Sequence, residues 1–544
     1  MSENEIQGHV VDLFNRRVFR GEIQIRAGKI DRIVKLNSEV PDRYILPGFI
    51  DAHIHIESSM MVPSEFARLA VRHGTVATVS DPHEIANVLG VEGVDYMIEN
   101  GQQVPFKFYF GAPSCVPATP FETAGAEIDV DGIRRLMARP EIKYLAEMMN
   151  WPGVLARNAD VVEKIQAAQH AGKPVDGHAP GLTGDDALRY AQAGITTDHE
   201  CFTLREAQDK LDAGMKIIIR EGSAARNFEA LIPLMKNHAD QLMFCSDDKH
   251  PDELVEGHIN TLVTRAIQKG YDLFDVLRVA CVHPVAHYNL DVGLLRPGDP
   301  ADFIIVDDLR QFHIQSTYLN GQQVFDGERV LFPRPINRVI NQFQCDPISE
   351  SSICISDPGE EVRVIQAFDG QLTTGSEWIP IKRNKSGAIE SDLDEDVLKI
   401  VVVNRYANAK PSIGFIQGFG LKAGAIASTV AHDSHNIIAV GVDDSAIAQA
   451  INRLIQEKGG ICAVHKENER CMPLPVAGLM SIENGASIAV QYQQIDEMTK
   501  SMGSTLQASF MTLSFMALLV IPALKLSDQG LFDGQRFEFV SLVK

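Results

Sequence analysis

A chain of 544 residues exceeds what one hydrophobic core serves, so two or more domains are expected. Hydrophobic residues at 45% and charged residues at 22% exclude a wholly disordered or collagen-like polymer. Lys and Arg number 50 against 72 Asp and Glu, a formal charge of -22; such a surface repels phosphate backbones and anionic lipid, so neither nucleic acid nor a membrane is expected as a partner.

In chain order, residues 9–35 form short alternating runs broken at Gly21 and Gly28, the pattern of hairpin strands. From residue 46 to 292 apolar runs alternate with helix-like stretches. Strands are predicted at Ile45–Ile54, Thr75–Val79, Lys107–Phe110, Tyr144–Met148, Pro174–Val175, Gly194–Thr197, Lys216–Ile219 and Gln241–Phe244. Helices such as Asp160–Ala171 and Asp185–Ala193 lie between them. Eight strands over this length fit a (β/α)8 barrel, and the rival doubly wound sheet lacks a G-x-G-x-x-G after its first strand. Residues 293–331 return to short strands, with turns at Asn320-Gly321 and Asp326-Gly327.

The expected fold class is therefore α/β: a (β/α)8 barrel over 46–292, a small split β domain from 1–45 plus 293–335, and a C-terminal α+β domain over 345–544. In that last region VLKIVVVNRY reads as a strand and DDSAIAQAINRLIQEKGG as a helix. The apolar stretch Phe510–Leu526 is interrupted by Thr512, Ser514 and Pro522 and closed by Lys525. It is too short for a spanning helix and is expected as a buried helix or strand. Cys115, Cys201, Cys245, Cys281, Cys345, Cys354, Cys462 and Cys471 are scattered without a C-x-x-C pair. This argues against a structural zinc cluster or disulfide scaffold and favours a reducing, cytoplasmic setting, with no signal peptide in the opening MSENEIQGHVVD.

Polar residues fall at the carboxyl ends of the predicted strands, where a barrel places its active site. His53 and His55, two apart on a strand, face one side. Glu147 ends the fourth strand, His178 the fifth, His199 the sixth and Asp247 the eighth. Alone, each suits a mundane role: a salt bridge for Glu147, a loop histidine for His178, a helix cap for Asp247. Together, four imidazoles and two carboxylates make a nitrogen/oxygen shell suited to Zn, Mn or Fe. Six ligands exceed one four-coordinate ion, so two divalent ions are expected, with Glu147 bridging and a hydroxide of lowered pKa between them.

The segments LPGFIDAHIHIESSM (46–60), GTVATVSDPHEIANVLG (74–90), LAEMMNWPGV (145–154), DGHAPGL (176–182), FCSDDKHP (244–251) and VAGLMS (476–481) resemble the amidohydrolase superfamily and, within it, the bacterial adenine deaminases. The resemblance covers nearly the whole chain. It implies His53, His55, Glu147, His178, His199 and Asp247 as ligands of a binuclear centre, with no carbamylated lysine at the fourth strand. It also implies that Asp81 and His83 face the reacting centre, and that Mn or Fe is favoured with Zn possible. The expected reaction is hydrolytic deamination of adenine, a small-molecule substrate, to hypoxanthine and ammonia. In it the bridged hydroxide attacks C6 and Asp247 carries its proton to the leaving amine. His83 orients the hydroxide with Asp81 on the other ring nitrogen; Glu147, Asp247 or another carboxyl protonates N1.

Other readings stay open. A cytosine deaminase, cyclic amidase or N-acetyl-sugar deacetylase is the nearest rival, and a noncatalytic metal-binding scaffold the more distant one. The H-x-E…P-C-x-x-C signature of nucleic-acid base deaminases is absent. D-P-H-E also reads as a turn and helix start. Arg220 and Glu221 are either purine contacts or an exposed ion pair. AHDSHN (431–436) is expected as a structural loop or one edging the barrel mouth, and Trp151 as packing. A homo-oligomer is the commoner outcome for such a chain.

Overall fold

The computed structural model describes residues 4–544. At its centre are eight short strands: β1 (Phe49–Ile54), β2 (Thr75–Ser80), β3 (Lys107–Ala112), β4 (Ile142–Met148), β5 (Val175–Gly177), β6 (Thr197–Asp198), β7 (Lys216–Arg220) and β8 (Leu242–Cys245). β1 to β5 form one parallel arc and β6 to β8 a second. The arcs meet on both sides. The Thr196 amide donates to the Val175 carbonyl at 2.8 Å, and the Asp247 amide donates to the His53 carbonyl at 3.0 Å, bringing β8 back against β1. The result is a closed (β/α)8 barrel. Every residue of β1, β2 and β8 is buried, which is why these segments lack the regular apolar–polar alternation of a half-exposed strand.

The returning helices carry local start signals. Asn158 Oδ1 accepts the Asp160 amide at 3.1 Å ahead of Ala159–His170, and Thr203 Oγ1 accepts the Glu206 amide at 3.2 Å ahead of Leu204–Asp212.

One predicted strand, Ile45–Ile54, is two. Tyr44–Pro47 pairs in parallel with Asn4–Asp12 and antiparallel with Phe303–Val306 in a seven-stranded sheet, whereas Phe49–Ile54 opens the barrel. The break falls at Gly48, where a Cβ would lie 2.2 Å from Val76 Cγ1. The chain crosses from one sheet to the other there with no room for a side chain. Ile23, Ile45 and Phe303, drawn from both sides of the barrel sequence, share one apolar cluster on that sheet.

Beyond the split sheet, an eight-stranded sheet includes Leu398–Val403, Ala425–Ser428, Ile437–Gly441 and Gly460–His465. Helix Asp444–Glu457 covers one face, its Ile447, Ile451 and Leu454 clustering with Val401, Ile437 and Val464. The apolar stretch at 510–526 divides into helix Ser509–Phe515 and strand Leu524–Ser527, both buried. Among the described residues no helix is long and apolar enough to cross a membrane. This region lies across the carboxyl mouth of the barrel: the Thr123 amide donates to Asp528 Oδ1 at 2.9 Å, Asn436 Nδ2 to the Thr123 carbonyl at 2.9 Å, and Ser527 Oγ to the Phe121 carbonyl at 2.9 Å.

Gly48→Ala is expected to destabilise the fold by about 1–3 kcal/mol, the cost of overpacking a tight contact. Thermal denaturation checks it; an unchanged melting temperature would contradict the close approach of Gly48 to Val76.

Candidate active site

Seven of the eight strand ends, all but that of β3, deliver one or two polar side chains to a common region. His53 lies on β1 and His55 one residue past it, their Nε2 atoms 3.1 Å apart. Asp247 follows β8 in a left-handed backbone conformation (φ 55°), which Asp adopts more readily than most residues. Its Oδ1 stands 3.5 Å from both Nε2 atoms. Glu147 on β4 reaches His55 Nε2 at 3.4 Å through one oxygen; through the other it meets His178 Nδ1 at 2.7 Å and His199 Nε2 at 3.1 Å. His199 stacks on His53 with ring centroids 4.0 Å apart. The structure thus gathers all six residues selected at strand ends, and every one is buried.

Their surroundings fix the charge. Burial raises the Glu147 carboxyl, but the imidazoles of His178 and His199 outweigh it and hold the group well below the usual carboxylate range. Burial likewise raises Asp247, and Arg220, His53 and His55 overcome it in the same direction. His53 Nδ1, His178 Nε2 and both nitrogens of His199 are buried without a hydrogen-bond partner. Buried imidazoles with unpartnered nitrogens, interleaved with ionised carboxylates, are what a divalent cation satisfies and hydrogen bonds alone do not. Three overlapping sets bring their ligand atoms within 4.8 Å of one another: His53/His55/Asp247, His53/Glu147/His199 and His55/Asp81/His83/Glu147. The cluster suits a divalent metal.

Asp81 and His83 stand beside it. Asp81 Oδ2 lies 3.1 Å from His83 Nδ1, and its other oxygen accepts the His83 amide at 3.1 Å. Helix His83–Leu89 begins at this histidine, so D-P-H-E is both a helix start and part of the site. His83 Nδ1 is also 3.6 Å from Glu147 Oε1. The far nitrogen, Nε2, points away from the cluster, 3.3 Å from Glu84 Oε1 and 3.7 Å from Asp433 Oδ1.

Arg220 corrects one expectation. It is fully buried, and Glu221 pairs with Arg265 instead. The guanidinium grips Glu200 through both terminal nitrogens and donates to Asp247 Oδ2 at 2.7 Å. Two carboxylates therefore occupy it, as planar bidentate geometry favours, and it is neither exposed nor paired with its neighbour. Glu200 is hard to see in the sequence because it follows His199 directly, and successive residues of a strand point oppositely; the strand ends at Asp198, so the rule no longer holds there.

Above the cluster lies a cavity of about 20 Å³, roofed by Leu372, His432, Asp433, Phe515 and Leu518 from the region after the barrel. The AHDSHN loop edges the mouth: His432 Nδ1 donates to Glu84 Oε1 at 2.5 Å and His435 Nε2 to the other Glu84 oxygen. Lys525 donates to the carbonyls of Leu372 at 2.7 Å and Phe515 at 2.8 Å, pinning two roof residues together; burial pushes its amine down to about 7. Trp151 opens the short helix Trp151–Leu155, half-buried against the main apolar core and outside the cavity wall.

A barrel of this topology with imidazoles and carboxylates at its mouth has the architecture of a metal-dependent hydrolase. Consistent with that, residues 44–324 match the family model described as the amidohydrolase family. Residues 371–538 match a second, the adenine deaminase C-terminal domain. The adenine deaminase of Salinibacter ruber is 56% identical over 98% of this chain and 98% of its own length. That of Sulfurovum sp. is 54% identical over 98% and 99%, and that of Methanosarcina mazei 51% over 98% and 98%. The chain belongs to the adenine deaminase family of amidohydrolases.

Arg220→Gln strips Glu200 and Asp247 of their buried counter-charge and is expected to cost about 3–5 kcal/mol of stability. Denaturant unfolding reads this directly; a midpoint equal to that of the unaltered chain would show that the two carboxylates do not depend on the guanidinium.

Proposed function

We infer that the chain is a metal-dependent aminohydrolase that converts adenine and water to hypoxanthine and ammonia, breaking the C6–N bond and forming C6–O. The relatives at about 50% identity over nearly the full chain support the substrate. The observation that carries the chemistry is Glu147, held between His55, His178 and His199 with Asp247 across from it.

His53, His55, Glu147, His178, His199 and Asp247 would hold two divalent ions. Manganese or iron is favoured by the resemblance, and zinc is compatible with the same nitrogen/oxygen donors. A bound pair supplies a water of lowered pKa and hence a nucleophile at neutral pH.

The protein's own groups do the rest. Asp247 is kept ionised by Arg220 and the two β1 histidines, so it can take a proton from the attacking water and hand it to the departing amino group. Asp81 fixes the His83 ring at Nδ1, 3.6 Å from Glu147, while Nε2 faces Glu84 and Asp433, so the imidazole borders the cavity beside the cluster. The roof of Leu372, Phe515 and Leu518 excludes bulk water, which strengthens every polar contact made inside.

The direct test is ammonia release from adenine by the manganese-loaded chain, with cytosine and dihydroorotate as controls. Turnover of adenine alone, abolished by a chelator and restored by metal, is the expected result; no ammonia from adenine would overturn the reading. His83→Asn should keep its metal while losing about two to four orders of magnitude in turnover, and full activity in that variant would remove His83 from the reaction.

A further inference from the structure

The roof of the cavity carries polar groups that the deamination chemistry leaves unused. Asp433, 2% exposed, lines the cavity with His432 and His83. Its Oδ1 is 3.7 Å from His83 Nε2, and its Oδ2 has no hydrogen-bond partner. Two other acids at this mouth are engaged, while Glu122 accepts from Thr119 through Oε1 and its Oε2, like Oδ2 of Asp433, has no partner. Glu84 accepts from His432 and His435 through one oxygen each, and Asp248 Oδ1 accepts from Ser58 Oγ at 2.5 Å. A buried carboxylate oxygen without a donor costs free energy until one arrives.

Asp433 is also held in place. Its neighbour His432 and the nearby His435 grip the single carboxylate of Glu84, which sits in the first turn of the helix after β2. The Tyr406 hydroxyl donates to the Ser434 carbonyl at 2.6 Å, and the His435 amide to the Ala431 carbonyl at 2.7 Å. The turn bearing Asp433 is therefore fastened on both sides. Phe515 stacks on His432, ring centroids 4.6 Å apart and 24° between planes, giving the roof a flat aromatic wall.

The reacting carbon must sit over Glu147 and Asp247, so a planar base presents its opposite edge to the roof. His83 spans that gap, with Nδ1 3.6 Å from Glu147 and Nε2 3.7 Å from Asp433. On adenine the donors are the exocyclic amine, which must lie at the reacting centre, and one imidazole-ring N–H. The second is the donor left for the roof.

We propose, resting on the adenine reading, that Asp433 accepts a hydrogen bond from the imidazole-ring N–H of the bound base, with Glu84 as its positioning residue, so that the site takes the free base and rejects purines substituted at N9. A nucleoside lacks that proton and adds bulk where the roof closes. A site built to pair a substrate N–H discriminates strongly against an analogue without it.

The experiment uses the full-length, manganese-loaded chain and two non-reacting probes, hypoxanthine and 9-methylhypoxanthine, as inhibitors of adenine deamination. The unaltered chain should bind hypoxanthine at least about tenfold more tightly than its methyl derivative. Asp433→Ala should keep its metal content, raise KM for adenine about ten- to hundredfold with a much smaller change in kcat, and lose most of the preference between the probes. Glu84→Gln should move KM in the same direction by less, with metal content unchanged. A folded Asp433→Ala variant with the original KM and the original preference overturns the proposal. Equal binding of the two probes by the unaltered chain overturns it too, whatever becomes of the variant. No ammonia from adenine removes the activity and this subsite together, whereas ammonia from adenine with equal probe binding removes the subsite alone.

Discussion

Glu147 is the pivot of the molecule. Its carboxylate is buried at the end of β4, with imidazoles from β1, β5 and β6 set around its two oxygens. Ionised carboxylates are expensive to bury without compensation, and this one is not alone. Asp81, Glu84, Glu200, Asp247, Asp248 and Asp433 are buried around the same mouth, where Arg220 is committed to two of them. Such an accumulation of negative charge and unpartnered imidazole nitrogens calls for positive charge at its centre, which suits a divalent metal.

That constraint explains features of the fold that packing alone leaves arbitrary. Barrel closure runs through the site, because the hydrogen bond that joins β8 to β1 is made between Asp247 and His53, two members of the cluster. The helix after β2 begins at His83, so the loop that carries Asp81 also sets the direction of an imidazole. The region after the barrel is tied down at the same place: His432 and His435 meet Glu84 of the barrel, and Lys525 fastens Leu372 to Phe515 above the cavity. Catalysis by water excluded from bulk solvent requires such a roof, and the sheet that supplies it is stabilised by its own apolar cluster under helix Asp444–Glu457.

The barrel is legible in the sequence because most of its strands are buried on both faces, and largely apolar runs such as KIIIR and LMFC alternating with helix-like stretches fit little else. The six central residues are legible for a related reason. A barrel puts function at strand ends, so a histidine or acid that terminates an apolar run stands out. What stays hidden depends on contacts distant in sequence. Glu84 and His432 are separated by 348 positions, and no local pattern links them. Arg220 looks like a surface residue because its partners, Glu200 and Asp247, come from two other strand ends. The break at Gly48 is hard to read because apolar residues dominate Ile45–Ile54 on both sides of it, and only the proximity of Val76 shows where the chain must change sheets.

The central claim is that the cluster around Glu147 exists to hold a pair of cations. Anomalous X-ray diffraction at the manganese edge, from crystals of the metal-loaded chain, tests it most directly. The account predicts two peaks close together, each bordered by members of the set His53, His55, Glu147, His178, His199 and Asp247, with Glu147 touching both. A loaded, active chain whose peaks lie elsewhere, or whose single peak leaves Glu147 uncoordinated, would contradict it.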